Sequence, residues 1–128
     1  MGGMRALLAR LRREEKGATA VEFVLILIPM VMLTLGAINL SLMVYTVATL
    51  NYAAEDAARC LSVKKTTCTA ASVNTYGRGR YTGPGAASFT ASSATCGNRV
   101  VGTVDYVFTT GLTSTIIPLS SQACYPLT

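Results

Sequence analysis

The 128-residue chain contains no histidine and only six acidic residues. Lack of histidine excludes imidazole metal ligands and the commonest general acid–base catalyst. The four cysteines, Cys60, Cys68, Cys96 and Cys124, include no C-x2-C pair of the kind that binds zinc. No serine lies in a Gly-x-Ser-x-Gly elbow. We therefore expect a protein that is not an enzyme and that holds neither a metal nor a cofactor.

Charge is absent from Phe23 to Leu50. As a helix that rises about 1.5 Å per residue, this stretch can cross a hydrocarbon core of about 30 Å. It is about twice as long as the apolar core of a secretory signal peptide, about 7–15 residues. We expect one helix from near Ala18 to about Cys60 that crosses a membrane once. Pro29 predicts a kink in that helix, although an ordinary membrane anchor also tolerates a proline.

Most of the net charge of +5 lies before the apolar run. Basic side chains on that flank favour a cytoplasmic N-terminus and a periplasmic C-terminus. The later pairs Lys64-Lys65 and Arg78/Arg80 are too short for an interaction tail, and we expect no nucleic-acid partner. The residues of the charged flank are Arg5, Arg10, Arg12, Arg13 and Lys16, with the acids Glu14 and Glu15.

One carboxylate, Glu22, interrupts the start of the apolar run. A charge costs about 2.5–3.5 kcal/mol at the centre of a membrane helix, so its presence calls for a function. A basic leader, Gly17, and an apolar helix with an acid at its fifth position resemble a pilin-type signal. The chain resembles the TadE-like pseudopilins, minor pilins of tight-adherence (Tad/Flp) type IV pili. The resemblance covers Lys16 to about Cys60, and more loosely the tail that ends at Pro126.

The resemblance implies that a prepilin peptidase cleaves between Gly17 and Ala18. Glu22 would serve subunit recognition by pairing with the Ala18 amine of a neighbouring subunit, and Phe23 stands where many members carry tyrosine. Expected partners are other pilin subunits, the peptidase, an inner-membrane platform, an assembly ATPase and an outer-membrane channel. The protein would reside in the inner membrane and then in a surface pilus.

Two other functions remain open. The first is an uncleaved single-pass signal-anchor envelope protein with a small periplasmic domain, in which Glu22 is simply hydrated or protonated near the membrane surface. The second is a carbohydrate-binding module on a stalk, for which Tyr76, Tyr81 and Tyr125 are too scattered along the sequence. The N-terminal residue of the mature protein separates the first alternative from a processed pilin.

The periodicity changes after Val44 and predicts an α+β fold. Helical spacing of small and apolar residues predicts that one helix face packs on a head, so we divide the chain into a leader (1–17), a helix (18–61) and a head (62–128). We expect a short helix from Thr69 to Tyr76 and a loop from Tyr76 to Gly85. Three antiparallel strands should follow in meander order, within 87–95, 99–110 and 112–125. The residues of the helix face are Val47, Leu50, Ala54, Ala57, Ala58 and Leu61.

All four cysteines lie in the part of the chain expected in the oxidising periplasm, which favours two disulfides. Four cysteines allow three pairings. We expect Cys60–Cys68, which closes a short loop at the helix end, and Cys96–Cys124, which ties the first strand region to the last.

Overall fold

A long helix carries a small α+β head at its C-terminal half. The computed structural model describes residues 2–13 and 15–128. The sheet is an antiparallel meander in the order β1-β2-β3, which confirms the expected fold class. The elements are α1 (Gly2–Arg13), α2 (Glu15–Val63), α3 (Val73–Arg80), β1 (Ser88–Ala94), β2 (Gly97–Thr109) and β3 (Ser114–Tyr125).

The central strand β2 alternates as its sequence predicts. Val100, Val104 and Tyr106 are buried, whereas Thr103 and Asp105 between them are exposed. The buried set faces α2, which contacts both β2 and β3. Pro118 lies in the edge strand β3 opposite Asp105 of β2, in agreement with the edge position that its missing N–H requires.

Small side chains on α2 let the head approach the helix backbone closely. Ala53, Ala54 and Ala57 are fully buried, as is Leu50. The sheet also has a small residue where it packs closely on α2. A Cβ built on Gly102 would lie 2.7 Å from Phe89 Cε1 and 3.1 Å from Leu50 Cδ1. The predicted helix face is thus the core face, and α2 continues past Cys60 to Val63 because Leu61 and Ser62 still pack against the head.

The short helix lies later in the chain than its sequence predicts. It runs from Val73 to Arg80, so the expected helix at Thr69–Tyr76 is misplaced and the expected loop at Tyr76–Gly85 is wrong over its first half. Gly77 is buried, and a Cβ there would lie 2.6 Å from Phe89 Cγ. Glycine is therefore a packing residue in this helix, and tertiary contact overrides its low helix propensity.

Both expected disulfides are present, Cys60–Cys68 and Cys96–Cys124. The first closes the turn after α2, where Cys68 N–H also donates to Lys64 O at 2.8 Å. The second joins the β1–β2 turn to the end of β3. In a chain-entropy estimate such loops contribute about 2.6 and about 3.6 kcal/mol to the free energy of unfolding, which is substantial for so small a core.

Residues Gly2–Arg13 of the leader form α1, and those of their side chains that the structure describes are exposed. Part of the predicted leader charge lies outside the described residues: Glu14, and the side chains of Arg12, Arg13, Glu15 and Lys16. Helix α2 already includes Glu15 and Gly17, so it begins before the expected start at Ala18.

The packing of α3 generates a matched pair of variants. Gly77→Ala should lower the free energy of unfolding, by about 1–3 kcal/mol, because the new methyl group overlaps the Phe89 ring. Gly79→Ala meets nothing within 4 Å and should be neutral or raise stability by up to about 1 kcal/mol. Denaturant unfolding of the full chain in detergent measures both. Equal effects would contradict the contact between α3 and Phe89.

Candidate functional site

The first part of α2, from Gly17 to Leu33, has an exposed and largely apolar surface. By length and composition the helix from Gly17 to Val63 can cross a membrane, and none of its most apolar window is buried by the rest of the protein. Large apolar side chains lie on every side of it, as expected for a helix that lipid surrounds. The exposed set includes Val21, Phe23, Val24, Leu25, Ile26, Ile28, Met30, Val31 and Leu33.

The predicted cleavage junction, Gly17–Ala18, lies within α2, and both residues are exposed. A Cβ built on Gly17 would have no neighbour within 4 Å. The fold therefore does not require glycine at this position, in contrast to Gly77. The effect of Gly17 on the structure is therefore local: glycine weakens a helix by about 1 kcal/mol relative to alanine and gives the backbone more freedom.

Glu22 and Phe23 are both exposed on α2. Among the side chains that the structure describes, no ion pair involves Glu22. Glu22 stands one helical turn after Ala18, so an amine created at Ala18 would share its helix face. Phe23 projects 64% exposed next to it, and the pair forms an acid-and-aromatic patch at the start of the apolar run.

The polar residues of the apolar run satisfy their own hydrogen bonds. The hydroxyls of Thr34 and Ser41 donate to Val31 O and Ala37 O, at 2.8 Å and 2.9 Å. Asn39 Nδ2 donates to Leu35 O at 2.9 Å. Such bonds let these residues lie in lipid at low cost. Helix α2 continues on both sides of Pro29, so the proline does not end it, and the expected kink stays a prediction.

The head begins to cover the helix near Asn39. Tyr106 of β2 is 5% exposed, and its hydroxyl donates to Asn39 O at 2.9 Å. The β2–β3 turn reaches still further toward the N-terminus: a Cβ on Gly111 would lie 3.5 Å from Leu35 Cδ1. The lipid-accessible part of α2 therefore merges into the head instead of ending at a linker.

Comparison with known protein families supplies one match, and it falls on this helix. Residues 17–59 match the family model described as TadE-like protein. The match confirms the resemblance inferred from the sequence over this segment. It begins at Gly17 and includes Glu22, Phe23 and Pro29. No curated protein and no solved structure matches the chain.

A polar cluster that the sequence did not reveal fastens α3 to α2. Tyr76 donates its hydroxyl to Asp56 Oδ2 at 3.0 Å, and Arg80 Nε lies 3.0 Å from the same oxygen. Arg80 also donates to the Tyr76 hydroxyl at 3.3 Å, and its guanidinium lies 5.3 Å from the Tyr76 ring centroid. The hydrogen bond with Tyr76 is the main cause of a raised pKa of Arg80, so this cation keeps its charge.

Most of the tyrosines and arginines of 76–81 make contacts within the protein. Tyr76 and Arg80 bind Asp56 of α2, and Tyr81 donates its hydroxyl to Pro84 O at 2.6 Å. Burial raises the pKa of Tyr81, which keeps the phenol protonated at neutral pH. The sequence did not reveal the cluster because Asp56 stands twenty residues before Tyr76. A helical reading of 73–80, with Tyr76 and Arg80 one turn apart, would have been the only signal.

The two arginines of α3 form a second matched pair. Arg80→Ala should lower the free energy of unfolding only slightly, since the pair with Asp56 is partly exposed to water. Arg78→Ala, at an exposed position of the same helix, should change it by less than about 0.5 kcal/mol. Unfolding at low and high salt checks the assignment. The Arg80 effect should shrink as salt screens the pair, and a salt-independent effect would contradict it.

Proposed function

We propose that this chain is a minor pilin of a Tad-type adhesive pilus, processed by a prepilin peptidase between Gly17 and Ala18. It resides in the inner membrane with a cytoplasmic N-terminus and a periplasmic head until it is assembled into the surface filament. It works through helix packing and not through catalysis. Its partners are other pilin subunits, the peptidase, the inner-membrane platform, the assembly ATPase and the outer-membrane channel.

The observation that carries this proposal is an exposed helix long enough to cross a membrane. Near its start, Glu22 follows five residues after Gly17, a glycine that the fold does not require. Packing explains Gly77 but leaves Gly17 without a structural reason. The same segment matches the TadE-like family from Gly17 onward. Recognition by a processing enzyme gives Gly17 and Glu22 one common explanation.

The exposed apolar surface of α2 supports assembly by helix packing. In the membrane, lipid covers the surface from Val21 to Leu33; in a filament, the helices of neighbouring subunits would cover it. Lipid and helix surfaces are similarly apolar, so the exchange needs polar contacts to fix its register. The Ala18 amine of one subunit and Glu22 of the next supply such a contact, because a charge left unpaired in an apolar bundle is costly.

An uncleaved signal-anchor protein is the second candidate function. The observation that favours it is that α2 includes Glu15, Gly17 and Ala18, so the junction is helical and the chain must unwind before a peptidase can bind it in extended form. Glycine at position 17 lowers the cost of that unwinding. The N-terminal residue of the protein in membranes distinguishes the two candidates.

Cleavage is tested by Gly17→Glu. A side chain at this position meets no neighbour within 4 Å, so the head should fold and oxidise normally while the full-length chain accumulates and pili are lost. Gly3→Glu is the matched control, since that glycine is equally open but lies within the leader, and it should be cleaved normally. Intact mass and N-terminal sequencing of membrane protein give the readout. Normal processing of Gly17→Glu would overturn the proposal.

The role of Glu22 in assembly is tested by Glu22→Gln, which keeps polarity and shape but cannot neutralise an ammonium group. The variant should insert and form both disulfides, because Glu22 is distant from the head. It should fail to cross-link to other pilin subunits and should reduce the number of surface pili. Glu55→Gln, an exposed acid of the head part of α2, is the control and should assemble normally. Wild-type assembly of a cleaved Glu22→Gln chain would exclude the ion pair.

A further inference from the structure

The β2–β3 hairpin has an apolar, uncharged end that no part of the head covers. Leu112 at the turn is 76% exposed, and Val107 and Ile116, which pair across the two strands, are 55% and 64% exposed. No charged residue follows Asp105 in the sequence, so the whole end of the hairpin is neutral. Exposed apolar side chains grouped in this way mark an interaction surface.

The position of the turn along α2 identifies what covers it. The turn lies beside Leu35, within the apolar run of the helix. If the hydrocarbon core of about 30 Å begins at Ala18, Leu35 lies about 26 Å into it; if the core begins at Glu22, Leu35 lies about 20 Å into it. In both cases Leu35 is inside the hydrocarbon core. Tilt of the helix shortens its rise along the membrane normal and so places Leu35 further from the head-side surface. A turn that lies beside Leu35 therefore meets lipid.

Two backbone N–H groups of the turn are satisfied within it. Thr110 N–H donates to Thr113 O at 3.1 Å, and Thr113 N–H donates to Thr110 Oγ1 at 3.4 Å. Backbone groups that are satisfied within the segment greatly lower the cost of burial in lipid. Gly111 takes a φ of +90°, which glycine adopts without strain, so the chain reverses tightly at this end.

The residues just above the turn suit the membrane surface. Tyr106 holds the hairpin to Asn39 O, and Tyr45 places its hydroxyl 3.1 Å from Thr82 Oγ1. Tyrosine is enriched at the level of the lipid headgroups, where the ring is in an apolar layer and the hydroxyl in a polar one. Tyr45 is 48% exposed and lies on the head side of Leu35, where that boundary is expected, whereas Tyr106 is buried within the head.

We propose that the β2–β3 turn, with Leu112 at its end and Val107 and Ile116 above it, inserts into the lipid leaflet on the head side of the membrane. The inference rests on the membrane-anchor part of the proposed function and is independent of cleavage and of pilus assembly. The head is then held against the bilayer at two points, α2 and the turn. It does not swing on a single helical stalk.

The absence of tryptophan from the chain permits a direct test with single-tryptophan variants of the full protein. Leu112→Trp probes the turn, and Leu33→Trp probes α2 at nearly the same depth. Gln122→Trp probes the same exposed face of β3 as Ile116, further from the membrane. Each variant is placed at low density in vesicles of phosphatidylethanolamine and phosphatidylglycerol, with brominated lipid or aqueous iodide as the quencher. Peptide mapping of both disulfides confirms that the head is folded.

We expect Leu112→Trp to behave like Leu33→Trp, with emission shifted to shorter wavelength, quenching by brominated lipid and protection from iodide. Gln122→Trp should show the reverse. Quenching of Leu112→Trp by iodide alone would overturn the inference, and protection from both quenchers would show that protein and not lipid covers the turn. If Leu33→Trp also escapes brominated lipid, the membrane anchor itself is wrong; if only Leu112→Trp escapes, the anchor stands and the insertion of the turn is wrong.

Discussion

A single helix has to satisfy two environments, and the rest of the structure depends on how α2 does so. Its first half exposes large apolar side chains in all directions, which suits lipid but not water. Its second half buries a face of alanines against the head and exposes charges such as Glu55 and Arg59. The change occurs within one unbroken helix from Glu15 to Val63, with no linker between membrane part and head part. Whatever fixes the helix therefore fixes the head.

The head is held to the helix along its length by polar contacts as well as by apolar packing. Tyr106 binds Asn39 O near the N-terminal end of the contact, Ser121 donates to Asn51 Oδ1 in the middle, and Asn98 donates to Ser62 Oγ at the C-terminal end. Each bond joins the sheet to a different level of α2. A sheet fastened at three levels resists sliding and rocking better than one held by a small apolar core alone. The disulfide at Cys60–Cys68 secures the end of the same helix.

The sequence predicted those features that depend on period and composition. The uncharged run, the alternation of β2 and the helix face of Leu50 and Ala57 all followed from patterns within short windows. The misplacement of α3 had a different cause. Gly77 and Gly79 lower helix propensity, and the compensation comes from Phe89 and Asp56, which are distant in sequence and visible only in the fold. For the candidate site, the sequence pattern indicated Gly17 and Glu22, whereas the proximity of Gly111 to Leu35 is visible only in the structure.

Rigid attachment links the proposed pilin chemistry to the placement of the head. If Glu22 sets the axial position of α2 against a neighbouring subunit, the same displacement is imposed on the sheet, because no flexible segment separates them. If the β2–β3 turn is inserted as proposed, extraction of the helix from lipid must also extract this turn, whose end lies beside Leu35. The neighbouring subunits would then have to cover Leu112 and Ile116 together with the helix surface. Assembly in this scheme exchanges lipid for protein at two sites of one rigid body, and a register that suits only the helix would leave the turn exposed to water.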